Sequence, residues 1–168
     1  MALRAIREAG DPALEKKAKP VKSITPRIRE LAEDMFDTMY EGQGVGLAAP
    51  QVGILRRMFV IDIDGEHPYI FINPEIIETE GEQTGDEGCL SVPGKCGTVT
   101  RPMKVVVRAY DLEMQPFELE AEELLARAIC HENDHLDGIL YVQHVQGGLR
   151  DVGEEPEEEE AEGEGGEA

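Results

Sequence analysis

The sequence predicts an α+β fold: mixed or antiparallel strands folded around a C-terminal helix, with another helix nearer the N-terminus. Three observations predict it. Residues 26–41 carry apolar side chains at helical spacing, four segments between 58 and 121 read as strands, and helical spacing returns over 122–137. Strands that precede a terminal helix argue for a sheet folded around that helix rather than for a doubly wound sheet.

Each element has a local reason. Thr25 suits the N-cap of the first helix, Pro26 its first position and Gly42 its C-terminal turn. Ile28, Leu31, Ala32, Met35 and Met39 fall on one face. A Gly-rich loop, GQGVGLAAPQVG, occupies 42–53. Residues 58–63 (MFVIDI) form a strand, Asp64-Gly65 a turn, and 69–72 its hairpin partner. KVVVRAY (104–110) and FELEA (117–121) are two further strands with a turn-like link between them. The last helix turns Leu124, Leu125, Ala128, Ile129 and Leu136 inward and ends at Gly138.

Composition bounds the function. The 168 residues suit one domain, 1–150, followed by an acidic tail, 151–168. There are 36 acidic and 16 basic residues, a net charge of −20. Such a balance opposes a nucleic-acid groove, which needs cations for phosphates, and an anionic membrane surface. No apolar run reaches the roughly 18–20 residues of a spanning helix, and the N-terminus lacks the apolar core of a signal peptide. Three Cys, an odd number, fit a reducing cytoplasm with free or metal-bound thiols. Residues 151–168 hold ten acids and no base, which leaves 26 acids against 16 bases in 1–150. That tail has too little apolar surface to offset the entropy of ordering. A solvated extension is its plainer reading, an acidic interaction segment the alternative.

The chemistry gathers on the last helix. His131-Glu132-Asn133-Asp134-His135 is an H-E-x-x-H pentad. Histidines at i and i+4 share a helix face, so both imidazoles reach one ion, and the adjacent Glu can serve as general base. Both His continue the apolar face, which makes them inward-pointing ligands rather than surface residues. A third ligand is then required, with one position open to water. Glu155 has zincin-like spacing but lies in the acidic tail, and His144 is a weak alternative nine residues on. The better candidate is Cys89 in Glu87-Gly88-Cys89-Leu90-Ser91, where Gly88 allows close backbone approach. By composition alone a free Cys is more often a small buried hydrophobe. Cys96 and Cys130 lack any such context.

Three segments taken together are more specific. Gly44-Val45-Gly46-Leu47-Ala48-Ala49-Pro50-Gln51, then Glu87 to Ser91, then His131 to His135 resemble, in order and spacing, the signature motifs of bacterial peptide deformylases. The resemblance runs from about residue 3 to about 145. It implies Cys89, His131 and His135 as metal ligands and Glu132 as the acid/base residue. It places the Gln51 amide and the Leu90 backbone N–H around the oxygen that becomes anionic. Gly46 and Gly88 would meet the substrate backbone; Val45, Arg127 and Ala128 would line the pocket for its Met side chain. The implied ion is one Fe(II) per chain, with Zn, Ni or Co as substitutes. The implied substrates are N-formylmethionyl nascent peptides, met by a monomer in the cytoplasm, with the ribosome exit region as a candidate partner. Position 130 is Cys where many members carry Gln. After 145 many members continue into a further helix, whereas this chain runs into its acidic tail.

Overall fold

In the computed structural model, residues 2–152 are described, and the acidic stretch from 153 onward lies outside them. The first long helix, α1 (Pro26–Glu41), begins as its chemistry requires. The Thr25 hydroxyl accepts from the Ile28 N–H at 3.2 Å, and Pro26 stands where no N–H is needed. Its end differs from the expectation. Gly42 stays right-handed at φ −82, and Gln43 takes the left-handed turn at φ 60. Glycine at 42 also leaves room for Leu90, because a Cβ there would meet both Leu90 methyls at 3.2–3.3 Å and the side chain would have to give by a few tenths of an ångström.

A five-stranded antiparallel sheet follows. It comprises β1 (Gly46–Ala48), β2 (Met58–Ile61), β3 (Tyr69–Glu80), β6 (Lys104–Tyr110) and β7 (Pro116–Glu122), in the order β1-β2-β3-β6-β7. All four β2 residues are fully buried, because each face of the sheet has its own helix. Phe59 and Ile61 join Phe71, Val105, Val107 and Ile129 beneath the C-terminal helix α2 (Glu123–Leu136). Met58 and Val60 join Leu31, Met35, Met39 and Ile72 beneath α1. A strand apolar on both faces is what burial between two layers selects. β3 runs well past the expected 69–72. Asn73 sits in its irregular stretch at φ 51, and its amide both donates to and accepts from the Val21 backbone at 2.8 Å.

The sequence reading missed a second sheet, ordered β4-β5-β8: β4 (Gln83–Cys89), β5 (Val92–Arg101) and β8 (Gln146–Asp151). β4 and β5 form a hairpin whose two-residue turn is Leu90-Ser91, with Cys89 paired to Val92. β8 stands where the family resemblance set a helix against an acidic tail. It pairs with β5 through Cys96 and Arg150, and the Val152 N–H donates to the Gly94 carbonyl at 3.0 Å.

α2 ends at Leu136, and Gly138, two residues on, is left-handed at φ 78, where a Cβ would press on the Glu15 backbone at 2.7 Å. One expected inward residue is not inward: Leu124, in the first turn, is 47% exposed and overhangs a cavity. No described helix is long and apolar enough to cross a membrane.

Candidate active site

α2 presents His131 and His135 one turn apart, their ring centroids separated by 5.1 Å and nearly edge to face. Both are buried. Cys89 arrives from the end of the β4–β5 hairpin, its Sγ 3.4 Å from His135 Nε2. One donor atom from each of Cys89, His131 and His135 lies within 4.8 Å of the others. A thiolate and two imidazoles form a donor set suited to Zn, Fe or related divalent ions.

The surroundings fit a cation. His131 Nδ1 pairs with Glu87 Oε1 at 2.9 Å, which fixes the ring and leaves Nε2 for the cluster. Burial lowers the His131 pKa, but hydrogen bonds with Cys89 and Glu87 overcome this and carry it to about 10. Burial and the His131 charge hold His135 well below the usual histidine range. His135 Nδ1 and Glu132 Oε1 are buried without a hydrogen-bond partner among the described residues.

Glu87 is the hub behind His131. It accepts from Arg101 Nε and Nη2 at 2.8 and 3.0 Å and from Arg127 Nη1 at 2.8 Å. Arg101 reaches on to Asp134 on α2 at 2.9 Å. Burial alone would raise the Glu87 pKa; the hydrogen bonds from His131 and Arg101, with the Arg101 charge, hold it well below the carboxylate range. The network ties the small sheet to the helix that carries both histidines.

Gln51 lies in the short 3-10 turn Ala49–Val52 that follows β1. Its Oε1 accepts the Ala48 N–H at 3.0 Å, so the amide NH₂ must face the other way. It donates to Ser91 Oγ at 3.0 Å and points to Cys89 Sγ at 3.4 Å. Glu132, on α2, meets the β1 edge. A Cβ on Gly46 would stand 2.5 Å from Glu132 Oε2, so only glycine leaves this carboxylate its place. Burial is the main reason its pKa is pushed up to about 7; Glu87 adds to the rise and His131 opposes it.

These groups border a cavity of about 480 Å³. Val45, half-exposed at the rim, Gly46, Gln51, Gly88, Cys89, Leu90, Arg127, Ala128, His131 and Glu132 all line it. Of the site residues that the family resemblance implies, His135 alone is absent from the wall. β1, an edge strand, forms one side, and the Arg127 guanidinium turns back from the wall to Glu87 and the Val99 carbonyl at 3.1 Å. His144 is no part of the cluster: it lies 43% exposed with Nε2 3.2 Å from Asp134.

Residues 3–150 match the family model described as polypeptide deformylase. The chain belongs to the polypeptide deformylase family. It is 61% identical over 162 residues to a peptide deformylase of Lachnoclostridium phytofermentans, covering 95% of this chain and 99% of that one. A crystal structure of a peptide deformylase from Legionella pneumophila superposes with a TM-score of 0.84 at 47% identity, over 86% of this chain and 87% of that chain. The Thermotoga maritima peptide deformylase gives a TM-score of 0.84 at 40% identity, over 87% and 99%. The deformylase family is metal-dependent, and the cluster of Cys89, His131 and His135 is a group that could hold a metal ion.

Sequence reasoning overlooked Glu87, Ser91, Arg101 and Asp134 as contributors to this deformylase site. Glu87 and Ser91 lie inside the Cys89 motif and Asp134 inside the H-E-x-x-H pentad, so the signal was adjacent to them. Arg101 ends a polar, Gly-rich strand, and nothing in its spacing marks it as buried. Cys130 is buried with its thiol pushed up to about 11, chiefly by burial, which leaves it a packing residue.

Proposed function

We propose that this chain removes the formyl group from the N-terminal formylmethionine of newly made polypeptides, using water activated at an ion held by Cys89, His131 and His135. The observation that carries this reading is the convergence of Cys89 with the helical His pair, at one cavity, beside the buried Glu132 carboxylate, one oxygen of which has no hydrogen-bond partner among the described residues. Membership of the deformylase family supplies the reaction.

The residues divide the work. Cys89, His131 and His135 would hold a divalent ion that would supply Lewis acidity, enough to bring the pKa of water from 15.7 toward about 7. Glu132, raised toward neutrality by burial, takes the proton of the attacking water and passes it to the leaving amine. The Gln51 Nε2 and the Leu90 backbone N–H donate to the formyl oxygen as it becomes anionic. One such donor is commonly worth about 3–4 kcal/mol of barrier. Gln51 is suited to this because Ala48 and Ser91 hold its amide from both sides. The open edge of β1 at Gly46, which lines the same cavity as Gly88, receives the substrate backbone as an added strand. Val45, Ala128 and the apolar stem of Arg127 accept the Met side chain.

Fe(II) is the resident ion in this reading, as the family resemblance implies; Zn, Ni and Co suit the same donors. Affinity order alone favours Zn over Fe(II), so metal supply decides. The catalytic domain is 1–150, with 151–168 an acidic appendage. Three free cysteines fit a cytoplasmic protein, working as a monomer on chains leaving the ribosome.

Two measurements test the reading. Anaerobically purified protein is expected to carry one divalent ion per chain and to deformylate a short formyl-Met peptide. His135→Ala is expected to lose most of the ion by elemental analysis, with its turnover. Full metal retention would overturn the ligand set, and an inert metal-loaded wild type would overturn the activity.

A further inference from the structure

Half of the cations in this acidic chain lie near its start. Residues 1–29 hold eight of the sixteen Lys and Arg against three acids, whereas residues 153–168 hold nine Glu and no cation. The fold gathers part of the basic set in one place. Lys19, Lys22 and Arg27, from the approach to α1 and its first turn, and Arg56, which forms an isolated parallel bridge with Lys19, border a second cavity of about 860 Å³. All four are exposed, and among the described residues no ion pair joins any of them to a carboxylate. Arg56 only donates to the neighbouring Leu55 carbonyl at 3.2 Å. Glu30 is the one acid on the wall, and a fifth cation there, Arg4, is committed to Asp34 at 2.9 Å.

We propose that this basic cavity is the docking site of the chain's own acidic tail, residues 153–168. Four like charges around one hollow repel each other, and a run of carboxylates relieves that repulsion. The tail can reach. β8 sets its exit, where Val152 bonds Gly94. Gly94 lies three residues beyond Ser91, Ser91 contacts Gln51, and Gln51 lies two residues before Gly53 on the cavity wall. That path is short beside the roughly 50 Å that sixteen extended residues span. Tethering gives the tail an effective concentration in the millimolar range. A free polyanion has no such advantage and must approach a chain of net charge −20. The tail therefore outcompetes external anions for this surface. Docking is electrostatic and should disappear as the screening length falls from about 10 Å at 0.1 M salt to about 3 Å at 1 M.

The test compares full-length proteins by backbone amide NMR, loaded with Zn so that the ion is closed-shell. One variant carries Glu→Gln at 154, 155, 157, 158, 159, 160, 162, 164 and 167. At about 20 mM salt, where screening is weakest, its amide shifts are expected to differ from wild type at 19–28 and 53–56, and to converge with it at 1 M. Lys22→Glu with Arg27→Glu, both at exposed positions, should move the Ala161 and Ala168 signals of the native tail to the values they take at high salt. Coincident low-salt spectra over 19–28 and 53–56 would overturn the proposal. So would differences confined to the tail's exit near 92–97. Differences that grow with protein concentration would assign the contact to a second copy and also overturn it.

Discussion

Glu87 and Glu132 are both buried beside His131, yet their surroundings drive their protons in opposite directions. Glu87 faces Arg101, Arg127 and His131, and its pKa is held well below the normal range. Glu132 has one carboxylate oxygen without a partner and abuts the bare backbone of Gly46, and its pKa rises to about 7. The same side chain is therefore held as an anion against His131 in one place and kept easily protonated in the other. Partners, not residue type, assign the role.

Three measurements separate the two carboxylates. The largest effect is expected at Glu132. Glu132→Gln should keep the ion but lower turnover by about 10²–10⁴-fold, because the amide cannot carry the proton. Near-full turnover in a metal-replete Gln variant would remove the asymmetry of roles. Glu87→Gln should act through binding and stability. Loss of its charge leaves Arg101 and Arg127 poorly compensated, costing about 3–5 kcal/mol in urea unfolding. Metal affinity, read by chelator competition, should fall about 10–100-fold as His131 loses its anionic partner.

The smallest effect is a pair of opposed pH slopes in metal-stripped protein. Between about pH 4.5 and 7 the folded state keeps the Glu132 proton that the unfolded state releases, so stability falls as pH rises. That slope amounts to about 3 kcal/mol over the window and should be missing from Glu132→Gln. Glu87 works the other way. Its depressed folded pKa adds stability that is complete above about 4.5 and is lost on acidification below it, a loss that Glu87→Gln should lack. Urea unfolding from pH 3 to 7 checks both. Parallel profiles for wild type and both variants would show the two carboxylates to be equivalent.

Legibility in the sequence followed the same divide between local and long-range causes. α1, β2, β6, β7 and α2 were readable because caps and periodic apolar residues are local signals, and the His pair was readable because it belongs to one helix turn. β4, β5 and β8 were not. Their stretches QTGDEGC, VPGKCGTVTR and QGGLRD are polar and Gly-rich, and they are held by charge pairs with residues 14 to 64 positions away rather than by a continuous apolar face. Cys89 was legible only through its motif. Its position depends on a hairpin turn and on the tie from Glu87 to α2, and neither leaves a periodic trace. Leu124 shows the opposite error, where the helical pattern was right but the first turn overhangs the cavity.

Leu90 fits a slot cut by two glycines. A Cβ at Gly44 would come within 2.8 Å of its Cδ1, and one at Gly42 would crowd both of its methyls. This is a dovetail between the end of α1 and the hairpin that carries Cys89. Positions 42, 44 and 90 therefore make one unit for any directed-evolution library. A larger residue on the helix side demands a smaller one at 90, and a smaller one at 90 loosens the hairpin on which the thiol rides. A single larger residue at 42 or 44 must displace the Leu90 side chain, so coordinated combinations should traverse that stretch of sequence space more readily than single changes.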